Sequence, residues 1–288
     1  MTTEAKIAVI GGSGLYDIEG MTDVQEVKLD TPYGPPSDSV VLGELGGKRI
    51  AFLPRHGRGH FVSPSELPVR ANIYALKSIG VEWIISVSAV GSLKEEIHPL
   101  DLVIPDQLID RTRSRVNTFF GGGVVAHVGF AEPFCPVLSD ILYRAATDTG
   151  AGVHKGGTYV VMEGPLFSTR AESHLYRSWG ASVIGMTALP EAKLAREAEI
   201  CYATVACATD YDCWREAEES VTVEMVIANL QQNVSRAKQI VKTAVSNIPQ
   251  ERTCACATAL KNAIITAPDK IPQNKRRELA LLIGKYVG

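Results

Sequence analysis

Apolar positions along this chain follow two rhythms. Short unbroken apolar runs read as strands covered on both faces. "KIAVIGGSGL" is one, opening into a glycine loop, and "VEWIISVSAVGS" is another, ending in small residues. "ICYATVACATDY" reads as a central strand, and "DLVIPDQLID", "GGTYVVMEGP" and "ASVIGMT" as three more. "SVVLGELGGKRIAFL" reads as a hairpin that turns at its glycine pair. The helical rhythm marks "SPSELPVRANIYALKSIG", which has a proline near its start and Gly80 at its end. It marks "PVLSDILYRAATDTG", closed by Gly150, then "STRAESHLYRSWG" and "LPEAKLAREAE". From 222, Val223, Val226/Ile227, Leu230, Val234, Ala237, Val241 and Ala244/Val245 recur every three or four residues, the signature of a long amphipathic helix. A last helix is predicted near 273–286. Strands alternating with helices predict an α/β fold, one domain over 1–288 with a central mixed β-sheet flanked by helices. Ligands of such sheets gather at the C-terminal ends of the strands.

Charge and cysteine usage narrow the function. The 29 Lys and Arg against 32 Asp and Glu leave a net charge of −3, with no basic stripe, so nucleic acid is not an expected partner. No apolar stretch is long enough to span a membrane, and "MTTEAKIAVIGG" has no secretory apolar region. A cytoplasmic location is therefore expected. Six cysteines in 288 residues are too few for a disulfide scaffold. No C-x-x-C pair occurs, which argues against a zinc site and for reduced core thiols. The C-x-C pair Cys254 and Cys256 is the exception, because its thiols can form or exchange disulfides.

Chemistry concentrates where strands end. "GGSGLYD" is neither the dinucleotide fingerprint nor a phosphate-binding P-loop. It is a tight turn with Ser13 at its centre, suited to an anion or simply to turning the chain. "PRHGRGH" places Arg55, His56, Arg58 and His60 directly after a strand, with no acid nearby in sequence to pair with them. That arrangement fits an oxyanion. Ser88 and Ala89 add a hydroxyl and a backbone N–H near the end of another strand. "GPLFSTRAE" offers Phe167 to a flat ring or sugar, with Ser168 as donor or acceptor, although Ser168 or Thr169 can equally be a helix N-cap. Met186 and Thr187 end a further strand. "VACATDYDCW" ends a buried strand in two carboxylates, Asp210 and Asp212, which burial makes costly unless something satisfies them. Residues 111–135 are Gly-rich, aromatic and without period, as functional loops often are. Together these residues describe a site for an anion and a flat polar ring, acting by position and hydrogen bonding and without a metal.

"GGSGL", "RHGRGH", "AEPFCP", "EGPLFSTRAE", "GMTALPEAKLAREA" and "CYATVACATDYDCW", in this order from about residue 6 to about 250, resemble the trimeric purine nucleoside phosphorylase family. Within it they resemble the branch acting on S-methyl-5′-thioadenosine. The resemblance implies phosphorolysis: phosphate attacks C1′, releasing adenine and 5-methylthioribose 1-phosphate, with no cofactor beyond the phosphate co-substrate. It assigns phosphate to Ser13, Arg55, His56, Ser88, Ala89 and Thr187, and the ribose to Met186 with Phe167 nearby. It puts His127 near the 5′ end of the sugar and the active site beside a subunit boundary, hence a homotrimer, with a hexamer left open. The family often has Thr at the positions of Ser13 and Ser88, and Ser keeps the hydroxyl. Asp210 is the residue suited to N7 and N6 of adenine, with Asp212 expected on the same strand face; members that cleave 6-oxopurines carry Asn there. Val223, Val226 and Ile227 would present an apolar wall to the methylthio group, or only pack the core. The rival readings are a 6-oxopurine or methylthioinosine phosphorylase, a nucleoside hydrolase and a non-catalytic nucleoside-binding module.

Overall fold

The computed structural model describes residues 4–12, 15, 18–215 and 223–287, and for 223–226, 228 and 230 the backbone alone. The chain runs β1 (Ile7–Gly11), β2 (Thr22–Val27), β3 (Val40–Leu45), β4 (Lys48–Pro54), α1 (Val69–Ser78), β5 (Trp83–Ser92), β6 (Leu102–Ile104) and β7 (Gln107–Arg111). It continues through α2 (Pro136–Thr147), β8 (Val153–Lys155), β9 (Thr158–Met162), α3 (Arg170–Ser178), β10 (Val183–Gly185), α4 (Ala188–Glu197) and β11 (Cys201–Asp210). It ends in α5 (Val223–Asn247), α6 (Gln273–Glu278) and α7 (Ala280–Val287). No helix among the described residues is long and apolar enough to cross a membrane.

The expected α/β fold with a mixed sheet is present, and four local readings change. The last helix, expected near 273–286, is two helices, α6 and α7, parted at Leu279. "DLVIPDQLID" is two strands, β6 and β7, because Pro105 has no N–H to continue a ladder. The two then take different neighbours, β6 joining β8 and β11 while β7 joins β9. The helix read from Ser63 starts only at Val69, after Pro68. Strand β2, "TDVQEV", is largely exposed at the sheet edge, so no apolar run announced it.

The unbroken apolar runs have a structural cause. In β1, Ile7 and Val9 pack into one layer and Ala8 and Ile10 into the other. The first layer holds Ala237, Ile240, Val241, Ala244 and Val245 of α5; the second holds Ile73 and Leu76 of α1 and Leu194 of α4. With helices on both sides, alternate residues both lose water, so the strand cannot alternate apolar with polar.

Strand β5 organises everything that follows. One edge pairs in parallel with β11 along Trp83–Gly91. The other edge is shared: β1 runs parallel to Trp83–Ser86, and β10 meets Gly91 and Ser92 antiparallel. Between them, Val87–Val90 face no strand among the described residues. The sheet forks there, and the ends of β1, β4 and β10 open into the gap, the switch-point position where α/β sheets bind ligands.

Candidate active site

Arg55 follows β4, and its backbone N–H donates to the Gly11 carbonyl at 2.9 Å, locking it beside the end of β1. Its side chain is buried. Nε donates to Glu191 Oε1 at 2.6 Å and Nη2 to Glu191 Oε2 at 3.1 Å. Nη2 also reaches Ser86 Oγ at 2.7 Å and Nη1 the Val87 carbonyl at 2.9 Å. Glu191 takes a further bond, from the Tyr202 hydroxyl at 2.9 Å. Burial works against the Arg55 charge, but Glu191 overrides it and holds the guanidinium above its ordinary value. The fork therefore rests on a satisfied ion pair, and Arg55 offers a bound anion a fixed positive charge with most of its N–H groups engaged. No acid stands beside this loop in sequence, yet Arg58 pairs with Glu26 and Asp38 at the surface and Arg55 with Glu191, each far along the chain.

His56, the next residue, is also buried. Nδ1 lies 2.8 Å from the Val62 carbonyl, and the ring stacks on His60 at 4.3 Å. Burial, then the Arg55 charge, brings its pKa down to about 4. At neutral pH the imidazole is uncharged; Nδ1 carries the proton toward the carbonyl, and Nε2 is left an acceptor.

Two hydroxyls and a phenol complete this side. Ser88 Oγ lies 3.5 Å from the Tyr159 hydroxyl. That phenol passes so close to Gly185 that a Cβ there would meet it at 2.3 Å, which is why a glycine stands beside Met186. Thr187 takes the N-cap position of α4 but makes no capping bond, and its Oγ1 is buried without a hydrogen-bond partner in the structure. Ala89, partly exposed, lies in the stretch of β5 that faces the gap.

The carboxylates approach from the opposite edge of β5. Strand β11 carries an irregularity between Ala208 and Asp210, so that Ala208 opposes Val90 and Asp210 opposes Gly91. Asp210 Oδ2 accepts from Thr209 Oγ1 at 2.7 Å, and Oδ1 accepts from the Asp212 backbone N–H at 2.7 Å. The strand ends at Asp210, so Asp212 is not on its face; it sits in a turn with φ 53°. That turn folds Asp212 back over Gly91, where a Cβ would meet Asp210 Oδ1 at 3.0 Å and Asp212 Cβ at 3.2 Å. A side chain at 91 would crowd both acids and press them to shift. Burial pushes the Asp212 carboxyl up; Ser173 pulls against this and Asp210 adds to it. Asp212 Oδ2 is buried without a hydrogen-bond partner. Tyr211 and Trp214 anchor the turn in a small apolar cluster with Leu93, Tyr176 and Ile184, and Trp214 Nε1 donates to the Ser92 carbonyl at 2.8 Å.

Several positioning residues were not legible in the sequence. Asn229 and Asn233 of α5 donate side-chain N–H groups to the Thr209 and Ala208 carbonyls at 2.6 and 3.3 Å, holding the irregular end of β11. Their signal is faint: two amides one turn apart on an otherwise apolar face. Arg115, in the irregular 111–135 segment, donates to the carbonyls of Met186, Leu189, Met162 and Glu163, clamping the end of β9 to the β10–α4 turn.

The remaining expected residues fall at the rim or elsewhere. Met186 Sδ lies against Gly164, where a Cβ would meet it at 2.5 Å. Phe167 is 47% exposed, and Ser168 accepts at its carbonyl from Cys213 Sγ at 3.2 Å, so the 162–168 loop meets the carboxylate turn. The N-cap of α3 is Thr169, in a capping box with Glu172. His127 is exposed, and its backbone N–H donates to the Ala263 carbonyl of the C-terminal segment, joining it to none of the residues above. Helix α5 forms as the periodicity required; Ile227 is exposed on it, while the side chains of Val223 and Val226, and the whole of Ser13, lie outside the described residues. A cleft of about 190 Å³ between α1 and residues 114–116 shares Arg115 and Pro190 with the site's outer wall, but neither carboxylate nor any of the expected phosphate residues lines it.

Comparison with known proteins places this geometry. Residues 6–246 match the phosphorylase superfamily. The chain is 60% identical to an S-methyl-5′-thioadenosine phosphorylase of Geobacter sulfurreducens, over 99% of this chain and 100% of that one. It is 56% identical to one of Thermosynechococcus vestitus, over 98% and 99% of the two chains. The crystal structure of a methylthioadenosine phosphorylase from an Antarctic soil metagenomic library superposes with a TM-score of 0.94 at 53% identity, covering 98% of this chain and 99% of that one. The Schistosoma mansoni methylthioadenosine phosphorylase in complex with tubercidin gives 0.80 at 38% identity, covering 86% and 93%. With a family match over residues 6–246 and near-full-length identity of this order, the chain belongs to the phosphorylase superfamily.

Proposed function

We propose that the chain cleaves S-methyl-5′-thioadenosine with inorganic phosphate, giving adenine and 5-methylthioribose 1-phosphate, and so serves purine and methionine salvage. The observation that carries the reading is the fork in β5, with hydroxyls and a buried cation on one edge and Asp210 and Asp212 on the other. Near-full-length similarity to proteins named for this reaction supports the substrate.

Phosphate sits between Ser88, Thr187 and His56, beside the Arg55–Glu191 pair. Thr187 Oγ1, unpaired within the protein, gains its hydrogen bond from the anion. Neutral His56, with Nε2 an acceptor, takes a hydrogen bond from a P–OH of the phosphate, which turns an unprotonated oxygen toward C1′. As the C1′–N bond breaks, negative charge grows on the purine. Asp210 meets it at N7 with a proton or a strong hydrogen bond, and its carboxylate accepts from the exocyclic amine. Asp212, its carboxyl raised by burial and by Asp210, holds Asp210 Oδ1 through its backbone N–H. The acid at 210, rather than an amide, favours a 6-amino purine. The reaction as proposed calls on no cofactor.

The assembly that fits this site is a homotrimer. Phe61, Leu166 and Phe167, on the loops beside the site, are 70%, 81% and 47% exposed, more apolar surface than loop tips usually leave in water. A neighbouring subunit covering them would close the sugar end. The test is adenine release from S-methyl-5′-thioadenosine with and without phosphate. Release that requires phosphate and yields a sugar 1-phosphate supports the proposal; equal release in phosphate-free buffer overturns it in favour of a hydrolase.

A further inference from the structure

Four cysteines that are scattered in sequence meet in space. Cys135 is the N-cap of α2, Cys201 opens β11, and Cys254 and Cys256 lie at the start of the C-terminal segment. Their Sγ atoms all lie within 4.8 Å of one another, and Cys201 and Cys254 are 3.2 Å apart. Zinc held by four thiolates at about 2.3 Å sets its sulfurs about 3.8 Å apart, a spacing these distances bracket. Cys135, Cys201 and Cys256 are buried, whereas Cys254 is partly exposed and leaves a path for entry. The cluster lies outside the site described above: Cys201 is the first residue of β11 and Asp210 the last.

We propose that Cys135, Cys201, Cys254 and Cys256 form a tetrathiolate site for a soft divalent cation, zinc. The missing C-x-x-C spacing is no obstacle, because the sheet and α2 bring the first two ligands together and the C-x-C pair supplies the others from one turn. Binding exchanges four thiol protons for one cation, leaving a net charge of −2 on the cluster. The Cys135 end of α2, a helix of 12 residues, offsets part of that charge with its unpaired N–H groups. The metal pins the C-terminal segment to the start of the strand that carries Asp210. The role is structural, since all four positions are taken by protein and none is left for substrate.

The test is metal content of the full-length protein expressed with zinc supplied and purified under reducing conditions. About one zinc per chain is expected, released by a thiol-binding mercurial, and zinc removal should lower the thermal midpoint by about 5–10 °C. Replacing zinc with cobalt should give the intense visible absorption of tetrahedral thiolate coordination. Cys254→Ser and Cys256→Ser should each lower zinc affinity by about tenfold or more, while Cys207→Ser, in the middle of β11, keeps it. The cobalt spectrum of the wild type decides the matter if a variant fails to fold. Zinc below about a tenth of an equivalent with no cobalt band, or a mass showing these thiols joined as disulfides despite zinc supply, overturns the site. Unchanged zinc binding in both variants overturns it as well.

Discussion

The two edges of β5 bury charge in opposite ways. On the β1 side, Arg55 and Glu191 satisfy each other and recruit Ser86, Tyr202 and the Val87 carbonyl. On the β11 side, Asp210 and Asp212 face each other across Gly91, and Asp212 Oδ2 has no hydrogen-bond partner in the structure. A charge that is buried with most of its hydrogen bonds made inside the protein holds a shape. An acid whose proton affinity burial and a neighbouring acid raise holds chemistry in reserve. The contrast separates residues that build the site from residues that act in it, even though all are polar and largely withdrawn from water.

The sharpest way to break the comparison is to change one member on each edge. Asp210→Asn should lower kcat for S-methyl-5′-thioadenosine by about 10²–10⁴-fold, the usual worth of a positioned acid, and shift preference toward 6-oxo nucleosides. Its thermal midpoint should move little. Steady-state kinetics on both nucleoside types, alongside a melt, check this; unchanged kcat would make Asp210 a structural residue.

Arg55→Met should do the reverse. It strands Glu191 in the core and should cost about 3–5 kcal/mol of stability. The double variant Arg55→Met with Glu191→Met should recover much of that stability while the phosphate KM stays high. Denaturant melts of the three proteins read the first part and initial rates the second. A single variant as stable as the wild type would show that the pair is not what holds the fork.

His56 sharpens the contrast through pH. Its ordinary value is 6.5 and its folded value about 4. Above pH 6.5 neither state carries this proton. As pH falls from 6.5 to about 4, the unfolded chain takes up a proton that the folded chain resists, so stability falls, by about 3 kcal/mol at the lower end. His56→Gln should flatten the dependence of the melting midpoint across that window. An identical slope in both proteins would place the acid sensitivity elsewhere.

The smallest expected effect compares two hydroxyls. Ser86 Oγ accepts from Arg55, while Thr187 Oγ1 has no partner in the protein. Ser86→Ala should lower stability by about 1–3 kcal/mol. Thr187→Val should leave stability unchanged or raised while the phosphate KM rises about tenfold, the worth of one hydrogen bond to an anion. Loss of stability in Thr187→Val would mean that its hydroxyl serves the fold.

What could be read from the sequence was local. A strand that ends in two acids shows itself, because both the apolar run and the carboxylates lie in "VACATDYDCW". So did the cluster at Arg55 and His56 and the periodicity of α5. Glu191 did not, because in "LPEAKLAREAE" it looks like any acid on a helix, and its partner lies 136 residues earlier. Asn229 and Asn233 interrupt an apolar face, and only the fold sets them against the β11 carbonyls. Period alone puts Asp212 on a strand face, but a left-handed turn sets its direction, and no periodicity encodes a turn.

The sequence by itself determined the α/β alternation, the central buried strands and which strand ends carry hydroxyls, cations and acids, since these follow from solvation and backbone geometry over a few residues. Only the tertiary structure decided that β1 and β10 share one edge of β5 and leave a gap, that Arg55 is bound by Glu191, and that four distant thiols meet. Those outcomes depend on contacts between segments far apart in the chain. Their free energy arises only once the sheet has closed and water has left, so no stretch of sequence short enough to read alone contains them.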